Sequence, residues 1–348
     1  MQRLSNTAEL KVLRDNLLQA HDPNRPIVRV CRGPGCLAVG ADKVSQAFHS
    51  IIKGQNLGVK VQPLVKDTGC HGFCSQGTLV NLAPANLCYV RVKPEDVEEI
   101  VQTTLVEGGI VERLLYSDNG NRYKSEAEIP FYRLQQKIIL KKVGVIDPLD
   151  INDAIMAGAY QSLVKALTEM APDEVIRTVE ISGLRGRGGG GFPTGYKWKK
   201  AAENAQQNPG PVYIIANGEE GDPGAFMDRA IMEGDPHAVI EGMAIGAYAM
   251  GANHGFLYVR HEYPIAIRHL ATALEQARAL GLLGKNILGT GFDFDLQINR
   301  GAGAYVCGEE TAIIASLEGR VGEPVTRPPY PSQQGLWGRP TVINNVET

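Results

Sequence analysis

Four of the six cysteines stand in two closely spaced pairs, and no other feature constrains the N-terminal third of this 348-residue chain as tightly. Cys31 and Cys36 form a C-x4-C pair, and Cys70 and Cys74 form a C-x3-C pair further along the chain. Four thiolates on two glycine-containing loops suit tetrahedral sulfur coordination, for which zinc and iron–sulfur are the candidates. Zinc sites favour C-x2-C spacing, whereas these longer loops leave room for the sulfides of a two-iron cluster. We therefore predict a [2Fe-2S] cluster, with zinc as the alternative and plain structural thiols as the third interpretation.

The segments around the cysteines predict the fold that carries them. Residues 41–55 have helical periodicity, residues 59–67 alternate like a strand, and residues 78–82 and 87–92 look like a hairpin pair. A βα unit followed by a hairpin, with the cysteines in its loops, is a thioredoxin-like arrangement. Cys88 lies inside the second hairpin strand, where we expect a buried thiol. The stretch resembles the thioredoxin-like [2Fe-2S] ferredoxins, and this resemblance implies a cluster on the four paired cysteines.

Composition and charge narrow the class of protein. The chain is 43% hydrophobic and 21% charged, with a net charge of -3, which is typical of a globular protein of two or three domains. We expect no nucleic-acid partner, because the charge balance is slightly acidic. The first twenty residues lack the pattern of a secretory signal, and no apolar run is long enough to span a bilayer. We therefore expect a cytoplasmic protein without a membrane span.

From residue 151 onward the pattern alternates between helix and strand. Predicted helices lie at 151–167, 171–182, 237–252, 264–280 and 309–319, and predicted strands at 212–218, 255–262 and 294–301. This alternation predicts a mostly parallel sheet covered on both faces. Ligands of such sheets bind beyond the carboxyl ends of the strands. The loops at 217–222 and 300–310 follow two predicted strands, so we predict that both contribute to one site.

The segment 183–198, "GLRGRGGGGFPTGYKW", is the second unusual stretch. Its glycines satisfy G-x-G-x-x-G, but they follow a helical stretch, whereas a dinucleotide fingerprint follows a strand. A P-loop fails too, because no Lys-Ser/Thr follows the run. We predict a nest of backbone N–H donors for nucleotide phosphates, with Arg185, Arg187 and Lys197 nearby. The alternative is a mobile loop without a ligand.

Two further patterns carry less weight. "HEYPIAIRH" begins like a zinc-binding H-E-x-x-H, but Ile265 stands where the second histidine is needed. We expect His261 and His269 to be surface or packing residues. Glu309 and Glu310 open a predicted helix, where acidic residues complement the helix dipole.

Four motifs in order resemble a family: "GLRGRGGGGFPTGYKW", "ANGEEGDPGAFMDR", "GAGAYVCGEETA" and "VINNVET". They resemble the flavin-binding subunit of NADH dehydrogenases, the 51 kDa type of respiratory complex I, and its relatives in NAD-linked hydrogenases and formate dehydrogenases. The resemblance covers about residues 120–348. It implies an NADH dehydrogenase in which hydride passes from NADH to FMN, a reaction between cofactors that needs no nucleophile or general base from the protein.

The resemblance also implies site residues. The residues implied to bind FMN are Gly186, Gly188, Gly189, Lys197, Asn217, Glu219, Gly308 and Glu309, with Gly190 and Gly191 in the same loop and Asn344, Asn345 and Thr348 closing the far side. The residues implied to contact NADH are Phe192, Glu220, Asp222, the orienting Glu310 and Tyr330. Tyr305 is expected to order the acidic loop. We expect NADH rather than NADPH, because Glu220 and Asp222 would repel a 2′-phosphate.

Three departures from the family pattern matter. Lys200 stands where some members have an aromatic residue that stacks on adenine, and Asp222 replaces a glutamate. The chain ends at Thr348, where the family continues into a ubiquitin-like domain and a [4Fe-4S] domain, so we expect either a fragment or an unusually short protein. Cys307 is a single cysteine, and we expect a packed thiol.

The fold class we predict is α/β, with a thioredoxin-like [2Fe-2S] domain followed by a Rossmann-like domain that binds FMN and NADH. The predicted divisions are a helical lead at 1–25, the [2Fe-2S] domain at 26–106, a linker at 107–150 and the FMN- and NADH-binding domain at 151–348. This fusion favours the flavin subunit of an electron-bifurcating [FeFe]-hydrogenase. The expected partners are its catalytic subunit and a small [2Fe-2S] subunit. The alternatives are a formate dehydrogenase, a complex I-type NADH:quinone oxidoreductase and, more remotely, a non-catalytic electron-transfer module.

Overall fold

The computed structural model describes residues 2–54, 63–222, 224–301 and 303–348. The chain divides into two compact units. Leu17–Pro148 form the first, which we call the cysteine unit, and Leu149–Thr348 together with the N-terminal residues up to Asn16 form the second, the glycine-loop unit. The domain boundaries given above stay a prediction. None of the helices among the described residues has the length and apolar character needed to cross a membrane.

The cysteine unit is built on a four-stranded sheet in the order β2-β1-β3-β4. The strands are β1 Ile27–Cys31, β2 Leu64–Thr68, β3 Val80–Ala83 and β4 Leu87–Tyr89. β1 pairs in parallel with β2 and antiparallel with β3, and β3 and β4 form the predicted hairpin. Residues 55 and 59–62 of the predicted helix and strand lie outside the described residues. A βα unit followed by a hairpin is the thioredoxin-like arrangement that the sequence predicts.

Among the described residues, the helices of this unit include one, Ala41–Gly54, that packs against β1 and β2. The helices are α1 Thr7–Ala20, shared with the glycine-loop unit, α2 Pro34–Ala38, α3 Ala41–Gly54, α4 Val97–Ile100, which continues as a π-helical turn at Val101–Val106, and α5 Pro130–Arg133. Val28 and Val30 of β1 and Phe48 of α3 are fully buried in one core cluster. Cys88 is buried in a second cluster beside Cys31 and Cys36, so the predicted buried thiol is confirmed.

The segment expected as a linker contains a hairpin that we did not predict. β5 Tyr116–Asp118 and β6 Asn121–Tyr123 pair antiparallel across Asn119 and Gly120. Both turn residues have positive φ, 49° and 82°. Asn-Gly is the dipeptide that favours this two-residue hairpin turn, so a local signal was present in the sequence.

The glycine-loop unit is built on a parallel sheet in the order β10-β7-β8-β9. The strands are β7 Tyr213–Gly218, β8 His254–Arg260, β9 Asp295–Gly301 and β10 Thr341–Asn345. The chain moves from β7 to β8 to β9 and then returns to the other side of β7. The strand order therefore reverses between β7 and β10, which makes the carboxyl end of this strand pair a topological switch point, the usual place for a ligand in such sheets. We did not predict β10.

The helices of this unit are α6 Ile151–Met156, α7 Gln161–Glu169, α8 Pro172–Ile181, α9 Thr194–Gln207, α10 Met227–Gly234, α11 Pro236–Met250, α12 Pro264–Leu280 and α13 Glu310–Leu317. The single helix predicted at 151–167 is wrong, because Gly158 and Tyr160 adopt positive φ and break it into two. We did not predict α9 and α10. A Cβ on Gly246 of α11 would lie 2.9 Å from a side-chain atom of Ile214 and 3.1 Å from one of Trp198, so glycine lets α11 pack closely on α9 and β7.

Candidate functional site

The glycine-rich segment forms a closed loop that leads into α9. The Gly186 N–H donates to the Phe192 carbonyl at 2.8 Å, and Gly189 and Gly191 adopt positive φ of 99° and 59°. The Arg185 guanidinium donates to the Gly191 carbonyl at 2.6 Å, so this arginine closes the loop. The Arg187 N–H donates to the Thr348 hydroxyl at 3.0 Å, which ties the loop to the end of the described chain.

Three separate segments meet at the switch point, and the end of β10 contacts the glycine loop there. Asn217 of β7 is the register partner of Asn345 of β10, and a Cβ on Gly188 would lie 3.4 Å from the Asn345 Cβ. The Asn217 amide donates to the Gly308 carbonyl at 2.8 Å. The Trp198 indole N–H donates to the Asn344 side chain at 2.9 Å. The structure therefore brings together the predicted glycine, asparagine and threonine residues.

Glu219 is the most unusual residue at the switch point. Its side chain is fully buried, neither of its carboxylate oxygens makes a hydrogen bond within the described residues, and the nearest cation, Arg260, lies 3.9 Å away. Burial raises the pKa of Glu219. A buried carboxylate without a donor is costly, so this geometry fits a ligand that brings an N–H or O–H group.

Neighbouring glycines leave the space around Glu219 open. A Cβ on Gly301 would lie 2.4 Å from Glu219 Oε2, and a Cβ on Gly308 would lie 3.2 Å from the Glu219 carbonyl oxygen. Side chains at either position would displace the carboxylate or the loop that follows β7. The glycines therefore permit the buried position of Glu219.

The two acidic residues at the start of α13 have different partners. The Glu309 carboxylate caps the helix by accepting from the Thr311 N–H at 2.7 Å, which confirms the helix-terminus interpretation. Glu310 pairs with Lys197 and, at 3.4 Å, with Arg327. The Lys197 ammonium also donates to the Ile343 carbonyl at 2.7 Å, so it links α9, α13 and β10.

A cleft of about 700 Å³ runs along one face of α9. It is lined by Gly190, Phe192, Tyr196, Lys197, Lys200, Glu203, Asn204, Gln207, Glu310, Arg327, Tyr330, Pro331, Ser332 and Gln333. Aromatic rings beside cations suit a nucleotide, because rings stack on bases and cations attract phosphates. The predicted contact residues Phe192, Glu310 and Tyr330 thus share one cleft.

Two other predicted NADH contacts lie elsewhere. The Glu220 carboxylate is buried and accepts from the N–H groups of Asp228 and Arg229 at 3.2 and 3.1 Å, so it caps the start of α10. Asp222 is exposed and accepts from the Gly224 N–H at 3.2 Å. Neither residue lines the cleft, and their contact with NADH stays a prediction.

Tyr305 lies against the loop that carries the acidic residues. It is 79% exposed, and a Cβ on Gly221 would come within 2.9 Å of its ring. This placement leaves its predicted ordering role a prediction. The two histidines of the rejected zinc motif are separate: His261 is exposed, and the buried His269 contacts the Glu233 carbonyl at 2.7 Å.

Sequence reasoning missed Asp228. This residue is buried on α10, and its carboxylate accepts from the Asn345 amide at 2.6 Å. Burial, followed by the nearby Glu220 charge, raises the pKa of Asp228 to about 7. The motif "AFMDR" contained the residue, but no spacing rule distinguished it from a surface aspartate.

In the cysteine unit, the two predicted pairs converge. The sulfurs of Cys70 and Cys74 lie 3.9 Å apart. A Cβ on Gly33 would lie 2.9 Å from the Cys70 sulfur, and a Cβ on Gly35 would lie 3.2 Å from the Cys74 sulfur. The loop that carries the first pair therefore packs directly on the second.

The thiols interact with one another. A hydrogen bond with Cys36 is the largest of the effects that raise the pKa of Cys31 to about 12, and a hydrogen bond with Cys31 raises the pKa of Cys70. The same Cys31 contact lowers the pKa of Cys36. Within the described ranges, no three His, Cys, Asp or Glu side chains are arranged to hold a single metal ion. The cluster therefore stays a prediction.

A polar group behind the cysteines also escaped the sequence analysis. The buried His71 ring contacts the Thr68 hydroxyl at 3.1 Å and Glu126 at 3.4 Å. Phe73 stacks on Phe131 with ring centroids 4.7 Å apart. These contacts fix the loop between Cys70 and Cys74.

Known proteins resemble this chain over both units. The curated relatives include the NADP-reducing hydrogenase subunit HndC of Solidesulfovibrio fructosivorans, 56% identical over 214 residues, which are 62% of this chain and 43% of that protein. An NADH-quinone oxidoreductase subunit of Aquifex aeolicus is 57% identical over 211 residues, 61% of this chain and 48% of that protein. The chain thus spans less than half the length of these two relatives.

One solved structure and one protein family complete the comparison. An NAD+-reducing [NiFe]-hydrogenase in the H2-reduced state is 27% identical, with a TM-score of 0.50, over 98% of this chain and 54% of that chain. With the two sheets described above, this match confirms the predicted fold class. Residues 179–348 match the family described as the Nuo51 FMN-binding domain. Residues 179–348 of this chain therefore belong to the Nuo51 FMN-binding domain family, as the four motifs predicted.

Proposed function

We propose that this chain is the NADH-oxidising flavin subunit of a multisubunit complex, holding FMN at the switch point and NADH in the adjoining cleft. The observation that carries the proposal is Glu219, buried without a hydrogen-bond donor among the described residues at the carboxyl end of β7. The isoalloxazine ring of FMN presents an N–H group of the kind that such a carboxylate needs. The family match over residues 179–348 supports FMN as the ligand.

The residues at the switch point fit FMN. The glycine loop offers backbone N–H groups for the FMN phosphate, since Gly188 to Gly190 carry no side chain that would shield them. Asn217 and Asn345 stand side by side at the ends of β7 and β10, where they would hold the rim of the ring system. When bound, FMN supplies the capacity to accept hydride from NADH and to release electrons one at a time.

The chain's own part is binding and orientation. Lys197 and Arg327 hold the Glu310 carboxylate at the inner end of the cleft, so its position is fixed before a dinucleotide enters. Phe192 and Tyr330 offer aromatic faces for stacking. Orientation of this kind can supply a large share of the barrier reduction without an acid or base from the protein.

We also propose a [2Fe-2S] cluster on Cys31, Cys36, Cys70 and Cys74. Two loops converge there with glycine where any side chain would meet a sulfur, and the Gly72 N–H donates to the Cys70 sulfur at 3.3 Å. N–H groups directed at sulfur are typical of iron–sulfur sites. Such a cluster would accept single electrons.

The last part of the proposal concerns the complex to which this chain belongs. We favour an NAD-linked, electron-bifurcating [FeFe]-hydrogenase in the cytoplasm, with a hydrogenase catalytic subunit and a small [2Fe-2S] subunit as partners. The relative named as an NADP-reducing hydrogenase subunit and the structure of an NAD+-reducing [NiFe]-hydrogenase support a hydrogenase that exchanges electrons with a pyridine nucleotide. The [FeFe] type, the preference for NAD and bifurcation are our proposal. The second candidate is a complex I-type NADH:quinone oxidoreductase, favoured by the equally similar Aquifex protein. A formate dehydrogenase is the third.

An anaerobic NADH titration of the reconstituted chain tests the proposal. Bleaching of the flavin absorption by NADH should show the NADH site. Low-temperature EPR after chemical reduction should show the signal of a two-iron cluster. Cys70→Ser should remove that signal, whereas the matched change Cys307→Ser should keep it, because Cys307 belongs to the glycine-loop unit. A protein that retains no flavin, or that holds zinc at the four cysteines, would contradict the corresponding half of the proposal.

A further inference from the structure

The outer half of the cleft is formed by one face of α9. Lys197, Lys200 and Gln207 all line the cleft and follow one another along that face. Ten residues of helix rise about 15 Å, so this face extends well beyond the inner end marked by Glu310. The adenosine half of a dinucleotide therefore has a defined wall, and that wall is a helix side rather than a loop.

Charges along this wall are distributed unevenly. Among the described residues that line the cleft, the carboxylates are Glu203 and Glu310. Glu310 is held by Lys197 and Arg327 at the inner end. Glu203 is the carboxylate of the outer half, and its Oε2 accepts from the Lys200 ammonium at 2.7 Å.

We infer that the Lys200–Glu203 ion pair sets the choice between a dinucleotide with a free 2′-hydroxyl and one with a 2′-phosphate, in favour of the hydroxyl. This inference rests on the proposed NADH site. A carboxylate has lone pairs for several hydrogen bonds, so Glu203 can accept from ribose hydroxyls while it holds Lys200. The same charge repels a phosphate of charge about -1.5 to -2. Lys200, tied to Glu203, is kept from neutralising that phosphate.

The local geometry holds the pair on the cleft side of α9. Lys200 and Glu203 are one helical turn apart, and the Lys200 ammonium also lies 5.6 Å from the centroid of the Tyr196 ring. The Lys200 contact lowers the pKa of Glu203, so the carboxylate is charged at neutral pH. Lys200 stands where some family members have an adenine-stacking aromatic residue, so this wall is polar in the present chain.

The pair adds a second source of NADH preference to the one first expected, in which Glu220 and Asp222 repel a 2′-phosphate. Asp222 is exposed, and its contact with NADH stays a prediction. Glu220 was expected to repel a 2′-phosphate, but its carboxylate is buried against the start of α10 and does not line the cleft. Glu203 lies on the cleft wall and is 40% exposed. A 2′-phosphate in the cleft would therefore meet Glu203.

Equilibrium binding of ADP-ribose and 2′-phospho-ADP-ribose to the full chain tests the inference by calorimetry, without flavin or turnover. The wild type should bind ADP-ribose more tightly. Glu203→Gln should shift the ratio of the two dissociation constants about tenfold towards the phosphorylated probe, because it removes a repulsive charge and releases Lys200. Adding Lys200→Gln to that variant should abolish the gain.

Lys199→Gln is the matched control, since Lys199 carries the same charge on the same helix but does not line the cleft. It should leave the ratio within about twofold. If Glu203→Gln leaves the ratio as Lys199→Gln does while ADP-ribose still binds, the inference is wrong and the proposed NADH site stands. If the wild type binds neither probe at millimolar concentration, the proposed NADH site fails, and the inference fails with it.

Discussion

The two candidate sites differ in how they surround a carboxylate, partly buried Glu126 in one and fully buried Glu219 in the other. In the cysteine unit, Glu126 accepts from the Asn81 amide at 2.6 Å and lies 3.4 Å from the His71 ring and 3.6 Å from the Lys137 ammonium. Burial opposes its ionisation, yet these partners lower the pKa of Glu126 to about 2. The Glu126 carboxylate is therefore supplied with donors by the protein, although the buried Asn81 Oδ1 atom has no hydrogen-bond partner among the described residues.

In the glycine-loop unit, burial raises the pKa of Glu219, and it raises the pKa of Asp228 and of Glu233 to about 7. Glu219 has no hydrogen-bond donor among the described residues. The protein thus gives Glu126 several partners and gives the Glu219 carboxylate no hydrogen-bond donor among the described residues. We conclude that the protein itself supplies the partners of Glu126 behind the cysteines, whereas Glu219 at the switch point is left for a ligand to satisfy.

We expect the largest effect from one methyl group added beside the cysteines. In Gly33→Ala the new Cβ would lie 2.6 Å from the Cys70 Cβ and 3.0 Å from its Cα, so the two loops could not both keep their positions. We expect reconstituted iron to fall below about a tenth of the wild-type content. Iron analysis and EPR measure this, with flavin content as an internal reference.

Gly54→Ala is the control, because its Cβ would meet nothing within 4 Å. It should keep full iron content. Equal loss of iron in both variants would show that the cysteine site does not depend on the close contact between its loops.

The cysteine site could be predicted from the sequence more fully than the flavin site. The cysteine pairs are local signals on short loops, and the structure brings them together as expected. The flavin site draws on segments more than a hundred residues apart, such as Gly188 and Asn345, and a motif supplied its residues only through resemblance. Contacts such as Glu220 with the start of α10 depend on a helix that propensity did not predict.

A methyl group at the switch point gives the next largest effect on cofactor binding. In Gly301→Ala the Cβ would lie 2.4 Å from Glu219 Oε2 and 2.9 Å from the Tyr258 ring. Overpacking of this kind costs about 1–3 kcal/mol, so we expect FMN binding to weaken about 30-fold. Flavin fluorescence titration measures the dissociation constant. Gly242→Ala, on an open face of α11, should bind FMN as the wild type does, and a similar loss there would exclude a specific effect at Glu219.

Asp228→Asn should change how the free energy of unfolding depends on pH. The folded pKa of Asp228 is about 7 against an ordinary value of 3.8, so between these values the folded state holds a proton that the unfolded state has lost. Stability from this group is therefore lost as pH rises from about 4 to 7. The variant cannot ionise, and without FMN its free energy of unfolding should exceed that of the wild type by about 4 kcal/mol at pH 8.

The difference should vanish near pH 4, and urea unfolding at both pH values measures it. The exposed Glu275→Gln on α12 should change the free energy of unfolding by less than about 0.5 kcal/mol. A pH-independent difference for Asp228→Asn would mean that the aspartate acts through packing rather than through its charge.

Glu219→Gln separates what the site needs for folding from what it needs for binding. Without FMN the glutamine removes a buried charge that no donor among the described residues satisfies, so the free energy of unfolding at pH 8 should not fall. FMN binding should weaken about tenfold, because a charged acceptor gives a stronger hydrogen bond than a neutral amide. Asp222→Asn, an exposed change in the same loop, should leave the FMN dissociation constant within about twofold. If Glu219→Gln instead destabilised the flavin-free protein and left FMN affinity unchanged, the carboxylate would belong to the fold, and the contrast between a carboxylate that the protein satisfies and one left for a ligand would fail.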